Sequence, residues 1–242
     1  MAIDAGSIVS VQVGRVAPLG STDVSSAFVK HPVSGPVMAQ RLGLAGDQQA
    51  DPGVHGGPDK AIYCYPVEHY EKWRALAPSA GALLVPGGFG ENLTTRGLDE
   101  DHVCIGDTFR IGGATVQVTQ PRQPCFKLAI RFNDRRIGRA MVRSGMSGWY
   151  LRVLEPGLVE SGSSITLLER PNPDWPIARS NRKSARSAEE TLWPVKGAHL
   201  VWDAPTLGND QATPASASTW PGCSLGTTFG YTAAILPCSS IR

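Results

Sequence analysis

The sequence predicts a mainly β domain with inserted helices, closed or nearly closed into a barrel and followed by an irregular C-terminal tail. Three observations predict it. Short alternating apolar segments recur from about residue 8 to 170, glycine (27) and proline (19) are plentiful, and after Pro176 all periodicity ends. Many short strands between glycine- and proline-rich turns favour sheet over long helices, and closing the sheet removes its unpaired edges.

The elements follow in order. Ile8-Val-Ser-Val-Gln-Val13 reads as an opening strand, with Val9, Val11 and Val13 on one face and Ile8, Ser10 and Gln12 on the other. Prolines turn the chain over 31–36, and Val37 to Leu42 reads as a second strand before a glycine-rich loop from Gly43 to Gly57. Ala61 to Tyr65 is short and β-prone. Pro66 to Ala77 predicts a helix, because Val67, Tyr70, Trp73 and Ala77 form an apolar stripe, Pro66 suits a first turn and Pro78 a stop. Thr108–Ile111 and Ala114–Val118, joined by Gly112-Gly113, predict a hairpin. Trp149 to Leu168 repeats the pattern with turns at 155–157 and 161–164. The domain boundaries are therefore 1–175 for the barrel and 176–242 for the tail.

Composition narrows the function. With 18% charged residues and a net charge of +2, the chain lacks the electrostatic footprint of a nucleic-acid or membrane surface. No stretch has the length of a membrane span or the layout of a signal peptide. Five cysteines (Cys64, Cys104, Cys125, Cys223, Cys238) without a CxxC pair imply free thiols in a reducing, cytoplasmic setting. The oligomeric state is left open, a homodimer included.

One thiol stands out. Cys125 lies in Thr119-Gln-Pro-Arg-Gln-Pro-Cys-Phe-Lys127, where Pro121 and Pro124 end sheet pairing and Arg122 and Lys127 supply positive charge. Flanking cations favour thiolate, the form that attacks electrophiles and binds soft metals. The loop from Gly46 to Lys60 adds Asp47, His55 and Lys60 among four glycines in the run 46–60, a combination suited to anions and to proton transfer. Phe89-Gly-Glu-Asn-Leu93 presents Asn92, which offers both donor and acceptor to a heterocycle edge, or else bonds its own backbone.

Taken together and in order, the blocks 46–51, 55–60, 89–93, 105–107 and 120–128 resemble those of a MOSC domain. The likeness is to the bacterial branch that reduces 6-N-hydroxylaminopurine, and it covers roughly residues 8–175. The resemblance implies a β-barrel and a molybdenum cofactor (molybdopterin), with Cys125 as the protein ligand to the metal. Asn92 and the His55–Lys60 loop, with Lys60, would lie near the cofactor, and Arg122 and Lys127 would meet its anionic tail or tune the thiolate; by residue type alone, His55 or Asp47 would donate a proton. The implied substrate is an N-hydroxylated base or amine, reduced to the amine and water. No flavin or iron–sulfur motif is visible, so the electrons would come from a separate reductase. A non-catalytic carrier of the cofactor or of sulfur on Cys125 is the alternative, and a cofactor-free thiol redox sensor a third reading. Members of that branch usually end in a small three-helix domain, whose amphipathic pattern residues 180–242 do not show.

Overall fold

The computed structural model describes residues 3–184; the rest of the expected tail, with Cys223 and Cys238, lies outside the described residues. Seven strands form the barrel: β1 (Ile3–Val13), β2 (Ile62–Pro66), β3 (Leu93–Arg96), β4 (Thr108–Ile111), β5 (Ala114–Pro121), β6 (Trp149–Glu155) and β7 (Ser164–Glu169). Around the barrel the order is β1-β7-β4-β5-β6-β2-β3, and β3 pairs back to β1. Every barrel pairing is antiparallel except β2 with β3, where Cys64 lies opposite Leu93. A parallel pair needs a crossover, and helix α1 (Glu68–Leu76) lies in the connection from β2 to β3. The expected hairpin forms between β4 and β5, with Ile111 opposite Ala114 and Gly112 turning at φ +54°.

Two apolar layers share β2. All five residues of this strand are buried. Side chains alternate across a strand, so Ile62 and Cys64 enter the barrel interior with Ile8, Val11, Phe109 and Val116, among others. Tyr63 and Tyr65 point to a second cluster outside the barrel, with Tyr70, Trp73, Phe89, Phe132 and Met141. Burial of each large side chain there contributes about 2–3 kcal/mol.

Three sequence expectations need correction. Ile8 and Val11 are both core residues, although strict alternation puts them on opposite faces; a bulge between Ile8 and Ser10 shifts the phase. Pro66 closes β2 instead of opening the helix, and His69, off the apolar stripe, is buried because it meets Glu100 at 2.7 Å. Helices α2 (Phe126–Phe132) and α3 (Arg136–Ser144) were not expected. Both are short, and α3 carries a mid-helix Gly138, but its Ile137 and Met141 set against an arginine face are a helical period that the sequence reading passed over.

The segment expected as tail begins with helix α4 (Ile177–Ser184). Ile177 is fully buried, its amide donates to Val103 O at 2.8 Å, and Asn181 Nδ2 donates to Gly145 O and to Ser147 Oγ. Among the described residues no helix is long and apolar enough to cross a membrane.

Candidate functional site

Pro121 is the last residue of β5, and the chain then crosses to α2 with Cys125 at the cap position, φ −124° and ψ 168°. Proline lacks an amide donor and stiffens the backbone, so this crossing leaves the sheet at a defined place. Arg122 N donates to Gly148 O at 3.2 Å, which ties the crossing to the residue before β6. Gly148 has φ +67°, and a Cβ there would collide with the Cys64 carbonyl, so only glycine fits.

The electrostatics of Cys125 follow from its neighbours. Burial works against its ionisation, but a hydrogen bond from His55, the Arg122 charge and the Lys127 amide outweigh it, lowering the thiol from 9.0 to about 7. Lys127 thus acts on the sulfur through its backbone, not only as a flanking charge. Arg122 is 5% exposed and sits among aromatic rings, its guanidinium carbon 5.5 Å from the Tyr63 centroid and 5.8 Å from Phe28. Its Nη1 reaches Met141 Sδ at 3.4 Å. Burial opposes its charge, yet Tyr63, Cys125 and Tyr150 raise its pKa on balance.

The loop that carries His55 is stapled at several points. Gln49 donates to Leu42 O and accepts from Gly57 N, both at 3.0 Å. Asp59 O accepts from Thr119 Oγ1 at 2.6 Å, which anchors the Pro58–Lys60 turn to β5. His55 ends the single helical turn Pro52–His55; its Nδ1 is buried, lacks a hydrogen-bond partner and lies 3.7 Å from Asp51 Oδ2.

Asp47 and Asn92 form a separate unit. Asp47 Oδ1 accepts from Gly14 N and from Lys30 Nζ, both at 2.6 Å, and Oδ2 accepts from Asn92 Nδ2 at 2.8 Å. The ion pair is buried, with side-chain exposures of 7% for Lys30 and 5% for Asp47. Burial pulls the Lys30 ammonium below its usual range while Asp47 opposes that shift. Asn92 Oδ1 accepts from Tyr63 N at 3.1 Å and its amide also reaches Gln12 O at 3.3 Å, so both its donors are used within the protein.

All seven sequence-predicted residues, Asp47, His55, Lys60, Asn92, Arg122, Cys125 and Lys127, line one cavity of about 90 Å³ that opens to solvent. Lys30, Phe28, Tyr63 and Tyr150 also line it and were missed in the sequence. For Lys30 no local signal existed, since its partner Asp47 lies 17 residues away. For Tyr63 and Tyr150 the opposed register of β2 and β6 makes the pair, and this register is invisible before the strands are matched.

A soft thiolate beside buried cations fits a metal bound through sulfur within a larger anionic group. Among the described residues no group of three or more His, Cys, Asp or Glu could hold a metal ion.

Comparison with known proteins sharpens the picture. Residues 51–166 match the MOSC domain. YflK of Bacillus subtilis is 40% identical over 185 residues, 76% of this chain and 82% of its own length. A Gibberella moniliformis protein named a reductase is 39% identical over 180 residues, which span 73% of this chain and 32% of that protein. YiiM of Escherichia coli is 46% identical over 145 residues, 60% of this chain and 65% of YiiM. A YiiM crystal structure from Escherichia coli has a TM-score of 0.61 over 74% of this chain and 77% of that one, at 35% identity.

Proposed function

The chain belongs to the MOSC domain family, in the branch that includes YiiM, and on that premise we propose that it is a molybdenum-dependent reductase of N-hydroxylated bases or amines. The observation that carries the reading is the convergence of a thiol lowered to about 7, an imidazole and buried cations on one cavity. The name of the Gibberella relative agrees with the reaction class.

In this reading Cys125 would be the protein ligand to molybdenum, and the metal, held by a pterin dithiolene, would supply two-electron oxygen-atom transfer when bound. Arg122, Lys127 and Lys60 hold the anionic part of that group. Asn92 and Asp47 are supports: Asp47, accepting three hydrogen bonds, fixes Lys30 at the cavity wall. The proton role falls to His55, whose ring helps lower the Cys125 thiol and keeps Nδ1 without a hydrogen-bond partner. The overall conversion is R–NHOH + 2 electrons + 2 protons → R–NH2 + H2O, with the electrons coming from a separate protein and one proton from His55.

The test is to express the chain in a host that makes the cofactor and to measure metal and turnover. Wild type should carry stoichiometric molybdenum and convert 6-N-hydroxylaminopurine to adenine with a chemical reductant, and Cys125→Ala should carry none. Equal molybdenum in both proteins removes the ligand assignment. A second reading, a sulfur carrier, is favoured by the same lowered thiol; a persulfide on Cys125 without bound pterin would select it.

A further inference from the structure

The net charge of +2 conceals a concentrated basic surface. Residues 126–144 hold six basic side chains (Lys127, Arg131, Arg135, Arg136, Arg139, Arg143) and one acidic one, Asp134. Helix α3 sorts them by face. Ile137 and Met141 are buried, while Arg135, Arg136, Arg139 and Arg143 are exposed, spaced by three, four and seven residues so that they form one outer stripe. Asp134 pairs with Arg136 at 3.0 Å, while Arg135 and Arg143 are the exposed cations at the two ends of the stripe.

The inner face of the same helix meets the site. Met141 Sδ accepts from Arg122 Nη1, and a Cβ placed on Gly138 would lie 3.8 Å from Pro124, the residue before Cys125. Phe126, the residue after Cys125, is 62% exposed at the start of α2, which packs against α3. A basic stripe and an exposed aromatic ring therefore lie one layer of side chains from the thiol.

We propose that the outer face of α3, with Phe126, is the docking surface for an acidic electron-carrier protein. The proposal rests on the reductase reading, which needs two electrons from outside the chain. Electron-transfer partners meet through small, transient interfaces, and charge complementarity sets their rate of encounter. An acidic partner fits the sign of the stripe, and its position next to Pro124 and Arg122 brings a docked redox group close to Cys125.

The probe is a flavodoxin, a small acidic flavoprotein, titrated against the cofactor-loaded protein at low ionic strength. Wild type should bind it, and added salt should weaken binding steeply. Arg135→Glu/Arg143→Glu should weaken it at least about tenfold while leaving turnover with reduced methyl viologen, a small dye, unchanged. Equal affinity of wild type and variant, or no binding by wild type, overturns the proposal. Preference of wild type for single-stranded RNA over flavodoxin overturns it in favour of a nucleic-acid surface. Should charge reversal unfold α3, Arg135→Ala/Arg143→Ala provides the same comparison with a smaller expected loss. Failure of wild type to reduce 6-N-hydroxylaminopurine with the dye would remove the reductase reading, and it is read separately from binding.

Discussion

The barrel interior and the aromatic layer outside it share one strand, yet they treat the same chemical group in opposite ways. Cys64 faces the interior, where burial pushes its thiol well up and keeps it a neutral packing group. Cys125 borders the outer layer, where His55 and Arg122 overcome burial and bring the thiol to about 7. The interior is packed mostly by aliphatic side chains, with Phe109 and Trp149 among them. The outer layer carries polar handles: Trp73 Nε1 donates to Tyr65 Oη at 2.5 Å, Tyr63 Oη donates to Ser147 O at 2.7 Å, and Tyr70 donates to the buried Glu91. Directional bonds of this kind orient side chains, whereas apolar contact alone does not. A site with a defined geometry belongs to the second environment.

The largest expected effect separates the two thiols by function. Cys125→Ala should lower kcat/KM for the reduction by about 10³-fold or more while changing stability by less than about 1 kcal/mol. Cys64→Ala should retain activity and cost about 1–2 kcal/mol in urea unfolding, for lost packing. Comparable activity losses in both would break the contrast.

Glu91→Ala tests whether the outer layer depends on its polar bonds. Glu91 is fully buried and accepts from Gly87 N, Phe89 N, Thr94 Oγ1 and Tyr70 Oη. Leaving these donors without an acceptor should cost about 3 kcal/mol in urea unfolding. A loss under about 1 kcal/mol would mean the cluster stands on apolar packing alone.

The next effect is on pH dependence. The rate of Cys125 alkylation by iodoacetamide should rise with pH through a midpoint near 7, and His55→Ala should move that midpoint up by about one unit. The two thiols should also give opposite slopes of stability. Between pH 7 and 9 the unfolded Cys125 thiol holds its proton and the folded one has lost it, so stability rises with pH and is lost as pH falls through 7. Above pH 9 the unfolded Cys64 loses its proton while the folded one keeps it, so its contribution falls as pH rises. Urea unfolding of the two alanine variants across this range measures both signs.

The smallest effect concerns the segment after the barrel. Asn181→Ala removes two hydrogen bonds to the 145–147 loop and should cost about 1 kcal/mol, with no change in the Cys125 titration. A shift in that titration would show that α4 bears on the site through the loop.

How much was legible in advance differs between the two regions in the same way. The barrel was readable because its signals are local: β4 and β5 alternate around Gly112-Gly113, and β6 and β7 are bounded by turn residues. The helices of the outer layer were less so. Tyr70 and Trp73 announced α1 by their spacing; α2 is short, and the period of α3, Ile137 and Met141 against an arginine face, was passed over because Gly138 interrupts a run of only nine residues. The site residues could be named from residue type and resemblance, and all seven reach one cavity. Their division of labour could not. Asp47 and Asn92 look available in sequence and are occupied in the fold, while Lys30 and Tyr63 gave no sign.

By itself, the sequence determined the barrel strands other than β3, which it read as part of a turn, together with the hairpin turn, the crossing that carries Cys125 and the family to which the chain belongs. These depend on periodicity, on proline and glycine, and on residues close along the chain. Only the tertiary structure decided that His55, some 70 residues before Cys125, lowers its thiol, that Asp47 is bound to Lys30, and that burial raises the Cys64 thiol instead. The ionisation of a buried group is set by what surrounds it in space, and barrel closure brings together residues from distant strands and loops.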